Sequence, residues 1–241
     1  PRHTARPDGA VLAIFPILTF HSLDDSGSVI SMAPARFAEQ IRSLSDAGWR
    51  CCSVSQVLAG RAQDHRPERV VAITFDDGYR SLVEVALPVL ESHGFTATVF
   101  VTTGRCGKDN RWPGQPSQIP TLPMLDWSDL SRLHDAGWEI GAHGTHHRAL
   151  TILTDADASV EIDASRHVLM ERVGAQVSVF AYPYGAHNTA TRDHVRRSFR
   201  GACGTHLDWV RSTSDDYALP RLDAYYLRRW NVATLLSTPR G

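Results

Sequence analysis

The 241-residue sequence predicts an α/β fold on a parallel sheet, either open and doubly wound or closed into a barrel. Three observations carry that expectation. Apolar runs rich in β-branched residues alternate with stretches of helical period almost to the end of the chain. Polar clusters follow three of the runs, at the strand ends where ligands gather in parallel α/β proteins. At 42% hydrophobic residues the chain can bury one continuous core, and no composition break marks a second domain, so residues 1–241 read as one domain.

Taken in order, residues 11–19, within "VLAIFPILTF", read as the first strand. Residues 34–47 place Phe37, Ile41 and Leu44 at helical spacing before Gly48, which reads as helix. Val70–Phe75 is a buried strand, residues 81–93 a helix ending at Gly94, and residues 96–101 a strand. The rhythm then breaks over residues 102–125, a loop rich in proline and glycine, and a loop of that length in a compact domain usually covers a site. A helix restarts behind Asp126 as N-cap, and "WEIGAH" is the next strand. Asp155–Val173 is the longest helix, "VSVFAYPYG" a strand entering a turn, and residues 189–199 a helix. In the last forty or so residues "LPRLDAYY" reads as a strand and "VATLL" as a short helix, and the chain shows no repeat or low-complexity segment.

Composition excludes several classes. Lys plus Arg number 25 against 26 Asp plus Glu with no basic block, so nucleic-acid binding is not expected. The cysteines Cys51, Cys52, Cys106 and Cys203 lack CxxC spacing and read as buried free thiols. The apolar stretch at residues 11–20 is too short to span a bilayer and lacks a small-residue cleavage site, so no transmembrane segment is expected. Because the chain begins at Pro1, its compartment, cytoplasmic or exported after processing, stays open.

The polar clusters are "FDDG" at residues 75–78, "HGTHH" at 143–147 and "YPYG" at 182–185. His143 and His147 have a spacing that lets two imidazoles face one cation, and two histidines with one carboxylate make a common open catalytic metal site. Asp76 or Asp77 would supply the carboxylate. Neighbours on extended chain point apart, so one would bind the metal and the other take a proton from a water that the cation acidifies. Singly, Asp-Asp-Gly reads as a turn and the histidine pair as incidental; together at strand ends they read as a site.

"TFDDGYRS", "GWEIGAHGTHHRAL" and "FAYPYGAHN", in this order and spacing, resemble the polysaccharide deacetylase family, also called carbohydrate esterase family 4 or the NodB-homology fold. "ILTFHSLDD" and "MAPARFAEQIRSLSDAGWRCCSVSQVL" are similar to the front of its bacterial exopolysaccharide-type members, and the resemblance covers roughly residues 11–225. It implies a distorted (β/α) barrel with fewer than eight complete units and metal-dependent removal of N-acetyl groups from amino sugars. By the same resemblance Asp76 matches the general base, Asp77, His143 and His147 the metal ligands, and Tyr184 the turn whose backbone N–H faces the oxyanion, shaped by Pro183 and Gly185. The metal implied is zinc, with cobalt, nickel or iron(II) also compatible with such ligands. His146 stays outside the metal set.

Two departures matter. Many family members carry arginine where Ala181 stands, to pair with the base; Arg221 in "LPRLD" is the candidate substitute, against a surface ion pair as the plain reading. A late histidine often serves as general acid, yet none follows His206. His21, at the end of the first strand, is the candidate acid, ahead of His187 and His206. Of the tryptophans, Trp112 in the long loop is expected to offer a sugar-stacking face, with Trp209 and Trp230 as further late aromatics, while Trp49 and Trp138 read as core. Asp24 and Asp25 read as a capped turn. Two rivals remain: hydrolysis of small cyclic amides or imides, which relatives of the fold also perform, and a non-catalytic glycan-binding module. Sugar, linkage, chain length and oligomeric state are not read from the sequence.

Overall fold

The computed structural model describes residues 13–62 and 69–237, with the side chains of residues 13 and 14 outside that description. The parallel sheet runs in the order Gly201–Cys203, Val179–Ala181, Glu139–Ala142, Thr98–Val101, Val70–Phe75, Ile17–Phe20, Leu222–Asp223, and Arg50–Cys52 pairs beside the start of Val70–Phe75. Its two edges nearly meet. Leu219 bridges to Cys203 on one side, while Leu222 and Asp223 pair with Leu18 and Thr19 on the other. The sheet therefore curls into the distorted barrel that the sequence motifs imply, with residues 219–223 as its seam.

Strand alternation divides the core in two. Leu18, Phe20, Val71, Ile73, Phe75, Val99 and Ile140 face outward into the large cluster that packs the helices, joined by Phe37, Ile41 and Leu44. Ile17, Ala72, Phe100, Val179, Ala181 and Cys203 make the smaller interior cluster. Trp49 and Trp138 belong to the outer core, as expected.

The helices start and stop where local chemistry dictates. Pro34–Asp46 has no side-chain cap at Ala33 but carries proline in its first turn, where a missing N–H costs nothing. Trp127–Asp135 is opened by a capping box between Asp126 and Asp129. Asp155–Val173 runs from the Thr154 cap to the left-handed Gly174, and Thr189–Ser198 starts at a second capping box on Asn188.

Several elements differ from the sequence expectation. Residues 11 and 12 lie outside the described residues, and Pro16, which lacks an N–H, splits the first run into Ala13–Phe15 and Ile17–Phe20. Only Ile17–Phe20 joins the main sheet; Ala13–Phe15 pairs antiparallel with Val210–Arg211. The helix expected over residues 81–93 is a π-type turn, Leu82–Ala86, leading into Leu87–Ser92, with Pro88 at the junction. In "LPRLDAYY" only Leu222–Asp223 is strand, and the Asp223 carboxylate caps a short helix, Ala224–Leu227. "VATLL" lies in the helix Val232–Ser237. Arg50–Cys52, the helix Val54–Ala62 and Gly201–Cys203 were not expected.

Candidate active site

The pleat explains how two neighbouring carboxylates reach one pocket. Counting inward positions along Val70–Phe75 from Ala72 brings Asp76 to the interior just past the strand end, and the same count from Gly141 does so for His143. Asp77 should then point away. It does not, because its backbone turns left-handed at φ 71°, followed by Gly78 at φ 92°. His147 at φ 55° and Tyr184 at φ 58° are the other site residues with positive φ, and with Asp77 they account for all but Arg69 of such non-glycine residues described. Conformations of that cost cluster where surrounding contacts hold them for a purpose.

Asp77, His143 and His147 are all buried, and one ligand-type atom from each lies within 4.8 Å of the others. His143 Nδ1 sits 2.7 Å from the Ala181 carbonyl, to which it can only donate, so Nε2 carries the free lone pair. That Nε2 is 3.3 Å, and His147 Nε2 3.1 Å, from Asp77 Oδ1. Asp77 Oδ1 and His147 Nδ1 are buried without a hydrogen-bond partner. Lone pairs converging from an oxygen and two nitrogens, one imidazole oriented by a carbonyl behind it, fit a divalent cation.

Glu161, on the longest helix and 5% exposed, organises the histidine loop. Its carboxylate accepts from the backbone N–H groups of Thr145 and His146 at 2.9 Å and meets His146 Nδ1 at 2.6 Å. His146 therefore points away from the cation cradle and is largely exposed. Gly104 packs so close to the Thr145 carbonyl that a Cβ there would lie 2.5 Å from it, and Gly104 N–H donates to that carbonyl.

Arg221 reaches Asp76 through the barrel interior. Its Nη1 donates to Asp76 Oδ1 at 2.7 Å and its Nη2 to Oδ2 at 2.6 Å, while Nε donates to the Gly204 carbonyl at 2.9 Å. At 2% exposed, with its guanidinium 5.6 Å from the Phe100 ring centre, it forms a buried fork, not a surface pair. Burial would raise the Asp76 carboxyl, but the charge and hydrogen bonds of Arg221 outweigh it and hold the group below the usual carboxylate range. Burial opposes ionisation of Asp77 as well; the two imidazoles hold it well below that range. Burial lowers His147, whereas in His143 the proximity of the two aspartates overcomes burial and raises it.

A cavity of about 670 Å³, mouth included, opens over Asp76, Asp77, His143 and His147. His21, Tyr184 and Thr205 line it, as do Trp112, Gln115 and Ile119 of the long loop. The loop is pinned by the fully buried Asn110, which accepts from Leu122 N–H and donates to the Pro120 carbonyl. Trp112 is only 7% exposed, not the open platform expected of a loop aromatic: its ring packs 4.2 Å from that of His147, and the Tyr184 ring packs 4.5 Å from the same imidazole. Trp209 is buried and Trp230 exposed, and neither lines the cavity. His187 stacks near Tyr182 at 4.9 Å and, like His206, does not line the cavity. In the Pro183–Gly185 turn, Gly185 and Ala186 N–H groups donate to the Tyr182 and Pro183 carbonyls. Gly185 has φ 67°, and a Cβ there would collide with Thr205. Asp24 accepts from Ser26 N–H and Ser31 hydroxyl, the capped turn expected. Glu161 and Thr205 were missed in sequence; an acidic residue between Val160 and Ile162 gives no signal that it is buried.

Residues 63–198 match a family model described as polysaccharide deacetylase. YxkH of Bacillus subtilis (strain 168) is 27% identical over 180 residues, which are 74% of this chain and 60% of that protein, so the chain spans less than two thirds of that relative. A poly-β-1,6-N-acetyl-D-glucosamine N-deacetylase of Staphylococcus aureus (strain MSSA476) is 24% identical over 218 residues, 83% of this chain and 72% of that one. Among solved structures, IcaB from Ammonifex degensii superposes with a TM-score of 0.79 at 23% identity, covering 95% of this chain and 99% of that chain. The Streptococcus pyogenes deacetylase PplD, solved with acetate, gives 0.77 at 20% identity over 89% and 93%. Likeness at such identities speaks to the fold.

Proposed function

From a chain that belongs to the polysaccharide deacetylase family, we propose a divalent-metal-dependent hydrolase that removes N-acetyl groups from N-acetylglucosamine-containing polysaccharide or oligosaccharide. The observation that carries this reading is the division of the adjacent carboxylates: Asp77 sits with two histidines in a cation cradle, and Asp76 is held by Arg221 beside it. A binding module has no use for a second, separately braced carboxylate at such a cradle.

Asp77, His143 and His147 would hold the cation, zinc on family grounds, which when bound would polarise the amide carbonyl and acidify a water. Asp76 takes the proton from the attacking water. Arg221 keeps it ionised for that task, and each carboxylate oxygen has a second lone pair beyond the one facing the guanidinium. The Tyr184 N–H, which the turn leaves over once Gly185 and Ala186 have bonded, would donate to the developing oxyanion. Departure of the amine requires a proton, and His21 on the cavity wall would supply it. Acetate and the free amino sugar leave.

A second cleft adjoins the cavity, with His147 and Tyr184 lining both, and two adjoining clefts suit a chain of sugars over a small cyclic imide. Among the described residues no helix is long and apolar enough to cross a membrane. Purified protein should carry about one divalent ion per chain, lost in Asp77→Ala, His143→Ala and His147→Ala variants. Unchanged metal content in all three would remove the ligand assignment.

A further inference from the structure

We propose that the cleft beside the catalytic cavity is a subsite for an anionic substituent, carboxylate or phosphate, on a sugar flanking the one that loses its acetyl group. The inference rests on the deacetylase reading above. The cleft adjoins the catalytic cavity, with His147 and Tyr184 lining both, which places a sugar flanking the reacting one at the cleft. Arg105, His146 and Arg148 line it, and no carboxylate does. Among the described residues neither arginine is in an ion pair, although the whole chain is close to neutral, with a formal charge of −1.

The two arginines are set on one cleft by the backbone that carries them. Arg105 ends the short turn Thr103–Arg105, and Arg148 follows His147 on the histidine loop. Thr103 N–H donates to the Gly144 carbonyl and Gly104 N–H to the Thr145 carbonyl, which zips the two segments to each other. The contact at Gly104 admits no side chain. Like charges placed on one rigid cleft repel, a cost that an anionic ligand reverses. Ile152 at 78% exposed and Tyr184 at 51% exposed offer the apolar surface against which a sugar face packs.

The test uses trisaccharides of N-acetylglucosamine whose outer sugars carry at carbon 6 a hydroxyl, a carboxylate or a phosphate. Acetate release and calorimetric binding are measured in parallel on the metal-loaded protein. The anionic forms should exceed the neutral one roughly ten-fold in kcat/KM and affinity, and the margin should shrink as salt is raised. Whichever anion shows the larger margin identifies the source. The Arg105→Ala, Arg148→Ala double variant should keep its rate on the neutral trisaccharide and lose the preference. Equal binding of neutral and anionic forms by the wild-type protein, or a preference that survives in the double variant, would overturn the proposal. No acetate release from any form would instead count against the catalytic reading, with the affinities still deciding the cleft.

Discussion

Arg221 stands 145 residues from Asp76 in the chain and holds both of its carboxylate oxygens in a buried fork. The interior strand end where the family motif often places arginine carries Ala181 here, and the bracing guanidinium comes from the seam that joins the sheet edges. Removing one side of a buried pair leaves an uncompensated charge. Arg221→Met should therefore destabilise the protein by about 3–5 kcal/mol, which in urea or thermal unfolding is a drop of roughly 10 °C in Tm. The Asp76→Asn, Arg221→Met double variant should recover much of that loss, because neither charge is then stranded. Additive losses would mean that the two groups do not act as a pair.

Glu161 acts on the cradle through the backbone of the loop that carries His147. On the proposed metal site, a Glu161→Ala variant should lower metal affinity by roughly 10–100-fold with Asp77, His143 and His147 intact, read by competition with a chromophoric chelator. Unaltered affinity would assign Glu161 to fold stability alone.

Burial pushes the Cys51 thiol up to about 11, and Cys106 and Cys203 to about 12; Cys52 is raised further by burial beside Cys51. Since the thiolate is the reactive form, a raised pKa means less of it at any lower pH. Iodoacetamide at pH about 8 should leave the native protein essentially unlabelled and modify all four cysteines once it is unfolded. Cys52 and Cys203 are buried, while Cys51 and Cys106 are half-buried and not the fully buried thiols expected; rapid labelling of the native protein would contradict the shielding of all four.

The motifs were legible because a parallel sheet puts each polar cluster at a strand end, and three clusters at three ends point to one place. The short strands Arg50–Cys52 and Gly201–Cys203 were not, since three residues give too little alternation to stand out from flanking polar sequence. Pro16 and Pro88 moved boundaries through their missing N–H groups, which apolar periodicity does not weigh. Arg221 could be suspected from what Ala181 lacked, but its fork depends on how residues 219–223 cross between sheet edges, a long-range fact. The inward turn of Asp77 was hidden for a related reason: strand parity points it outward, and only the left-handed backbone ahead of Gly78 brings it into the pocket.

The most direct measurement titrates a divalent cation into chelator-treated protein and follows acetate release from N-acetylglucosamine oligosaccharides, with the Asp76→Asn variant alongside. Release should rise to a plateau near one equivalent per chain, while Asp76→Asn takes up the ion and stays silent. Release that ignores chelation, or an Asp76→Asn protein that turns over like the wild type, would contradict the account.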